Sequence, residues 1–275
     1  MKHLLFLSVI FSLLVFNNCS SDDNDPTVVE SLIYLDENGV TIKATDDAVV
    51  GESYELDGVS YLVVDDEMLY TMVANDEDVT KVITTNVTNM SDMFNNAGSF
   101  NQDIGSWDVS NVTNMSFMFS NAATFNQDIG SWDVGNVTFM SLMFNNCEAF
   151  NQNLNYWDVS NTLSFDYMFS GCLVFNGNIT SWDTGIAAVS MTRMFNGATA
   201  FNQDIGSWNM GNISNMHGMF AYASSFNQDI SGWDVSGINN PNGMSDMFAY
   251  ASSFNQPLNS WNTSNVTQMV RMFQE

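Results

Sequence analysis

The sequence predicts an α/β repeat solenoid, built of coils of ~25 residues that each hold a short strand and a helical turn, behind a small β-hairpin cap. Three observations carry this expectation. All seven tryptophans occupy one repeat position, at Trp107, Trp132, Trp157, Trp182, Trp208, Trp233 and Trp261, with spacings of 25, 25, 25, 26, 25 and 28. Methionines recur in pairs three apart, from Met90/Met93 to Met269/Met272, with Phe165/Met168 as the one edited pair. The apolar spacing also changes inside each copy, from strand-like to helix-like.

Residues 1–18 read as an export signal. Lys2 precedes the apolar run Leu4 to Phe16, which is too short to cross a ~30 Å hydrocarbon core as a helix. Cys19 follows, then an acidic tether over 19–27. This arrangement resembles the lipobox and surface-export tether of bacterial lipoproteins, in particular those of Bacteroidetes. The resemblance implies diacylation of Cys19 and a chain lipid-anchored at the outer membrane, on the cell surface. Asn18 departs from the small residue usual before such a cysteine, so an ordinary cleaved secretory signal remains the alternative.

Residues 28–85 read as a β-rich cap. Asn38-Gly39 and Asp57-Gly58 are strong hairpin turn pairs. They predict that Ser31-Leu35 pairs with Val40-Ala44, and Ser53-Leu56 with Val59-Val64. Such a piece would cover the apolar end of the first coil.

Residues 86–275 hold about seven to eight repeats. In one copy Ile104, Trp107, Val109 and Val112 sit at offsets of 0, 3, 5 and 8, which predicts a strand with the L-x-x-L-x-L core of a leucine-rich repeat. Met115, Met118, Phe119 and Ala122 follow at spacings of three to four, which predicts a short helix or 3₁₀ turn. The copies resemble the BspA-like leucine-rich repeat surface proteins, in the branch whose repeat reads NVTNMSxMFxxAxxFNQDIxxWDVS. That resemblance implies a cell-surface adhesion or protein-binding role and no enzyme activity. No cap pattern follows the last Met-Phe half. A longer chain, a second molecule or a marginal last coil would each account for that.

Charge and chemistry narrow the function further. Of 275 residues 31 are acidic and 5 basic, a formal charge of −26, which excludes a nucleic-acid binder. Seventeen of the acids fall between Asp22 and Asp78. No phosphate loop, dinucleotide fingerprint or zinc cluster is present, and neither cofactor nor metal is expected. Asn101, Asn126, Asn151, Asn176, Asn202, Asn227 and Asn255 recur after the repeat Phe, which predicts a ladder of buried amides. The Asp column after Trp (Asp108, Asp133, Asp158, Asp183, Asp234) contains Asn209 and Asn262, which favours Asx turns. A bridging cation and a catalytic carboxylate pair are the other readings of that column. Cys147 and Cys172 take a small slot held elsewhere by Ala, as core thiols or as a tight disulfide. His217, the one histidine after the signal, reads as solvated.

Binding should reside where the copies differ. The residue between each pair of Met runs Asp92, Phe117, Leu142, Tyr167, Arg193, Gly218, Asp246 and Arg271. Phe117, Leu142 and Tyr167 therefore fall in successive coils, with Phe139 nearby and Tyr156 in place of a repeat Ser. These five residues are the candidate partner-binding surface, for a protein or glycan on another cell or matrix. The function expected is a non-enzymatic protein-binding or adhesion module. A surface glycan-binding lipoprotein is the alternative, and a carboxylate-dependent glycoside hydrolase a remoter one.

Overall fold

The structure is a computed structural model describing residues 31–185 and 190–275. The signal, the tether and Cys19 lie outside the described residues.

The N-terminal region holds every named element. β1 (Ile33–Leu35) pairs antiparallel with β2 (Ile42–Ala44) across Asn38-Gly39. β3 (Ser53–Leu56) pairs antiparallel with β4 (Val59–Asp65) across Asp57-Gly58, where Asp57 and Gly58 both have positive φ as a tight hairpin turn requires. α1 (Asp66–Ala74) starts directly from β4: the Asp65 carboxylate caps it by accepting the Met68 N–H at 2.9 Å, and Asp66 and Glu67 lie in its first turn. β5 (Val82–Asn86) then pairs in parallel with β4, giving a sheet of order β3-β4-β5. Neither α1 nor the parallel β5 was expected in a cap read as two hairpins.

This region is fused to the repeats. The Asp66 carboxylate accepts from the Thr88 N–H, the Thr88 hydroxyl and the Asn89 N–H, and the Tyr70 hydroxyl donates to the Ser91 carbonyl. On the other side the Ile42 N–H donates to the Ser106 carbonyl. Leu69, Val79 and Val82 share one continuous apolar core with the repeat residues.

The expected α/β solenoid of strand plus helical turn is not what the repeats form. Among the described residues α1 is the one α-helix, and no named strand lies beyond β5. Over 104–112 the chain makes turns; over 115–122 it makes more turns. Among the described residues, strand-type pairing between copies is limited to isolated parallel bridges along Asn89, Asn114, Phe139, Ser164, Ser190 and Asn215.

Amide direction is the physical reason. The Phe117, Phe119 and Asn121 N–H groups donate across to Ser141, Met143 and Asn145 of the next copy, while Met118, Ser120 and Ala122 close local turns three residues back. A helix would direct all of these amides along itself. Here every second one is turned outward to the next layer, with Phe117 and Asn121 left-handed at φ 60°. The residues expected to line a helix face, Met115, Met118, Phe119 and Ala122, are fully buried all the same.

Inside the layers, aromatic rings form columns. Trp107, Trp132 and Trp157 stack with centroids 6.4 and 6.5 Å apart, and Phe119 stacks on Phe125 within its layer at 4.0 Å and on Phe144 in the next at 5.6 Å. Each such pair adds ~0.5–1.5 kcal/mol beyond area burial. Every repeat indole also donates to a main-chain carbonyl one layer back, from Trp107 to Val79 through Trp261 to Ile230. Leaving one such group unpaired costs ~1–3 kcal/mol, so Trp is held by its N–H as well as by its area.

Candidate functional site

The variable slot between the two Met of each copy is left-handed throughout. Asp92, Phe117, Leu142, Tyr167, Arg193, Asp246 and Arg271 have φ between 53° and 60°, and Gly218 has 62°. In every copy but the last, where Met269 is exposed, the flanking Met residues, or Phe165 and Met168, are buried, and the residue between them is displayed outward. Phe117 is 36% exposed, Leu142 and Tyr167 are half-buried, and the Arg193 guanidinium lies 5.7 Å over the Tyr167 ring. The three expected residues therefore form one outward column, continued by Arg193.

Phe139 and Tyr156 lie elsewhere. Phe139, exposed, sits in the bridge column between Asn114 and Ser164, where its carbonyl accepts the Met115 N–H. Tyr156 is 84% exposed and belongs to the Trp half of its layer. It lines a cavity of 540 Å³ with Asp128, Asp133, Asp158 and Asn38, the last from the β1–β2 turn. The five candidate residues thus divide among three places.

A second left-handed slot, four residues on, escaped sequence reasoning. It runs Asn96, Asn121, Asn146, Gly171, Gly197, Tyr222 and Tyr250, all at φ between 56° and 74°. Asn121 and Asn146 each donate a side-chain N–H to the preceding Asn, at 3.0 and 2.9 Å. The amide of Asn146 fills the space a side chain at Gly171 would need, and the ladder stops there. In the last layers Tyr222 and Tyr250 stack at 4.7 Å beside Asp246, whose carboxylate holds Arg271 through two hydrogen bonds of 2.8 and 3.0 Å. The legible signal was the recurrence of Asn and Gly, the residues that tolerate positive φ.

The remaining candidates are scaffold. Each member of the Asp/Asn column after Trp accepts the N–H two residues on, from Asp108 with Ser110 to Asn262 with Ser264. These are Asx turns, and Asn serves as well as Asp. In the Asn column the Asn126 N–H donates to Asn101 Oδ1, and the pattern repeats to Asn255 on Asn227. That ladder runs along the surface, with Asn101, Asn126 and Asn151 exposed, and not through the interior as expected. Cys147 and Cys172 are free, buried thiols donating to the Phe119 and Phe144 carbonyls; burial pushes the Cys147 thiol up to about 12 and that of Cys172 also upward. Neither is a thiolate nucleophile at neutral pH. His217 is half-buried rather than solvated, with Nε2 4.0 Å from Asp246 and Nδ1 buried without a partner. Among the described residues no three His, Cys, Asp or Glu are grouped to hold a metal, and no helix is long and apolar enough to cross a membrane.

Comparison with known proteins adds one relation. No curated protein and no solved structure matches the chain. The family model described as Mycoplasma protein of unknown function, DUF285, matches residues 66–182, 154–244 and 190–275, and its first match begins at the first residue of α1. These overlapping matches run from 66 to 275 without a break, and the chain belongs to the DUF285 family.

Proposed function

We propose that this chain is a non-enzymatic binding module displayed at a cell surface, gripping a protein partner along the column Phe117, Leu142 and Tyr167. One observation carries the reading. Three successive layers present large apolar side chains in an outward slot that other layers fill with Asp, Gly or Arg. A bulky residue at positive φ costs ~1 kcal/mol or more, which stacking alone gives no reason to bear. The column is rimmed by polar groups, with the Asn96-Asn121-Asn146 ladder beside it, as interaction surfaces commonly are. Its resemblance to BspA-like surface proteins supports the same reading. The proposed attachment is a diacyl anchor on Cys19 at the outer membrane, with the acidic segment holding the repeats off the surface.

Changing Phe117, Leu142 and Tyr167 together to Ser is expected to abolish capture of a partner from surface extracts, with circular dichroism and melting unchanged. Loss of folding would instead assign the column to the core. Glycan-array binding lost in Tyr156→Ser, but kept in the triple variant, would move the function to a sugar in the cavity by the β1–β2 turn. For the anchor, Cys19→Ala is expected to shift the protein from the membrane fraction to the soluble one.

A further inference from the structure

We propose that the cleft between Arg193, Tyr222, Tyr250 and Arg271 binds the carboxylate and hydroxyls of a single acidic sugar. This site adjoins the apolar column, since the Arg193 guanidinium also lies 5.7 Å over the Tyr167 ring, but it does not rest on that column's reading.

The charge distribution singles the cleft out. Residues 86–275 carry 14 acidic side chains and two basic ones, Arg193 and Arg271. Both basic side chains line this one cleft of 190 Å³. Arg271 is already clamped to Asp246. Arg193 has no carboxylate partner among the described residues; its side chain runs past Gly218, where an added Cβ would come within 3.0 Å of its Cγ. A planar guanidinium with unclaimed donors beside a cleft is suited to two parallel hydrogen bonds with a carboxylate.

Backbone strain points to the same place. Tyr222 and Tyr250 take φ of 60° and 58° in a slot where the five preceding layers have Asn or Gly. Arg193 and Arg271 are also left-handed, at 53° and 54°. Bulky residues retained in this conformation indicate side chains kept for contact.

The remaining lining selects a sugar. A bare carboxylate calls for donors alone. This cleft mixes donors and acceptors: the Asn196 and Gln274 amides, the Tyr hydroxyls and the Asp246 carboxylate, with Gln274 Nε2 donating to the Tyr250 hydroxyl at 2.8 Å. Such a lining matches a ring bearing both a carboxylate and hydroxyls. At 190 Å³ the cleft lies below the ~300–1,000 Å³ of sites for drug-sized ligands, so it takes one ring and leaves its linkages outside.

The test is calorimetric titration of the full chain with D-glucuronate, D-glucose and N-acetyl-glutamate α-amide at low salt. Glucuronate is expected to bind at least tenfold more tightly than either comparison ligand, and more weakly as salt rises. Arg193→Gln is expected to lower glucuronate affinity at least tenfold, while the Phe117→Ser, Leu142→Ser double variant leaves it unchanged. If Arg193→Gln fails to fold, Tyr222→Asn replaces it: Asn is native to that slot, so melting should hold or rise while glucuronate binding weakens. The proposal is overturned if glucuronate does not bind, if glucose matches it, if the folded variant keeps full affinity, or if the glutamate derivative binds as well, which would mark an acidic-peptide site.

Discussion

The tryptophan column and the left-handed column each contribute one residue per layer, yet one repeats a single residue seven times and the other uses six residue kinds in eight layers. The difference lies in what each side chain must satisfy. A repeat Trp fills the interior, stacks on the rings above and below, and donates its buried N–H to a carbonyl one layer back. No other residue does all three. The left-handed slot asks of its occupant only that it accept positive φ; its amide, common to all residues, makes the bond to the next layer. Structure is therefore written into one column, and the other is left free to vary.

Substitutions can break that contrast, in order of expected size. Trp157→Ala should be the most damaging, at ~3–5 kcal/mol, while Tyr167→Asn in the adjoining layer half should change the denaturation midpoint little. Equal losses would erase the distinction. Trp157→Phe keeps a ring but removes the 3.0 Å indole bond to the Ile129 carbonyl, which still accepts the Trp132 N–H, so a loss of ~1–2 kcal/mol from the bond and the smaller buried ring is expected by denaturant unfolding. Asp66→Ala releases three hydrogen bonds joining α1 to the first layer; a loss of ~1–2 kcal/mol is expected, with hydrogen exchange rising first at Thr88 and Asn89.

The smallest effect concerns the acidic turns. The Ser236 hydroxyl, and then its N–H, hold the Asp234 carboxyl below its usual 3.8, and Ser231 does the same for Asp229. A lowered folded value contributes stability that is present above the unfolded pKa and is lost as pH falls through the folded one. Asp234→Asn keeps the turn acceptor and removes the titration. The gap in denaturation midpoint between parent and variant should therefore be steady well above the unfolded carboxylate value and narrow as pH falls below it. A gap independent of pH would contradict the assignment.

These contrasts also explain what the sequence could and could not convey. The period and the buried set were legible, because stacking demands the same residue at the same place and Met115, Met118, Phe119 and Ala122 are all interior. The local conformation was misread for the same reason: spacings of three and four satisfy a helix face and a chain of turns alike. What separates the two is Asp92, Asn96, Asn121, Asn146, Gly171 and Gly218, residues at ease with positive φ in slots that recur every layer. α1 escaped notice because it is nine residues long and follows β4 with no turn between them, Asp65 ending one and capping the other. β5 pairs in parallel with a strand across that helix, a partnership no local pattern encodes. Of the site, the column of Phe117, Leu142 and Tyr167 followed from aligning copies. The cavity joining Tyr156 to Asn38 depends on how the β1–β2 turn folds over distant layers, so only the structure brings them together.

The central claim, that the variable slot is a left-handed and outward position, is tested most directly by comparing Leu142→Gly with Leu142→Ala in thermal unfolding. At φ 58° an alanine Cβ is strained and glycine is not, so the glycine variant should be the more stable by up to about 1 kcal/mol, as Gly218 in the same slot already implies. A helical turn at this position would reverse the order, with alanine ahead by about 1 kcal/mol, and that result would contradict the account.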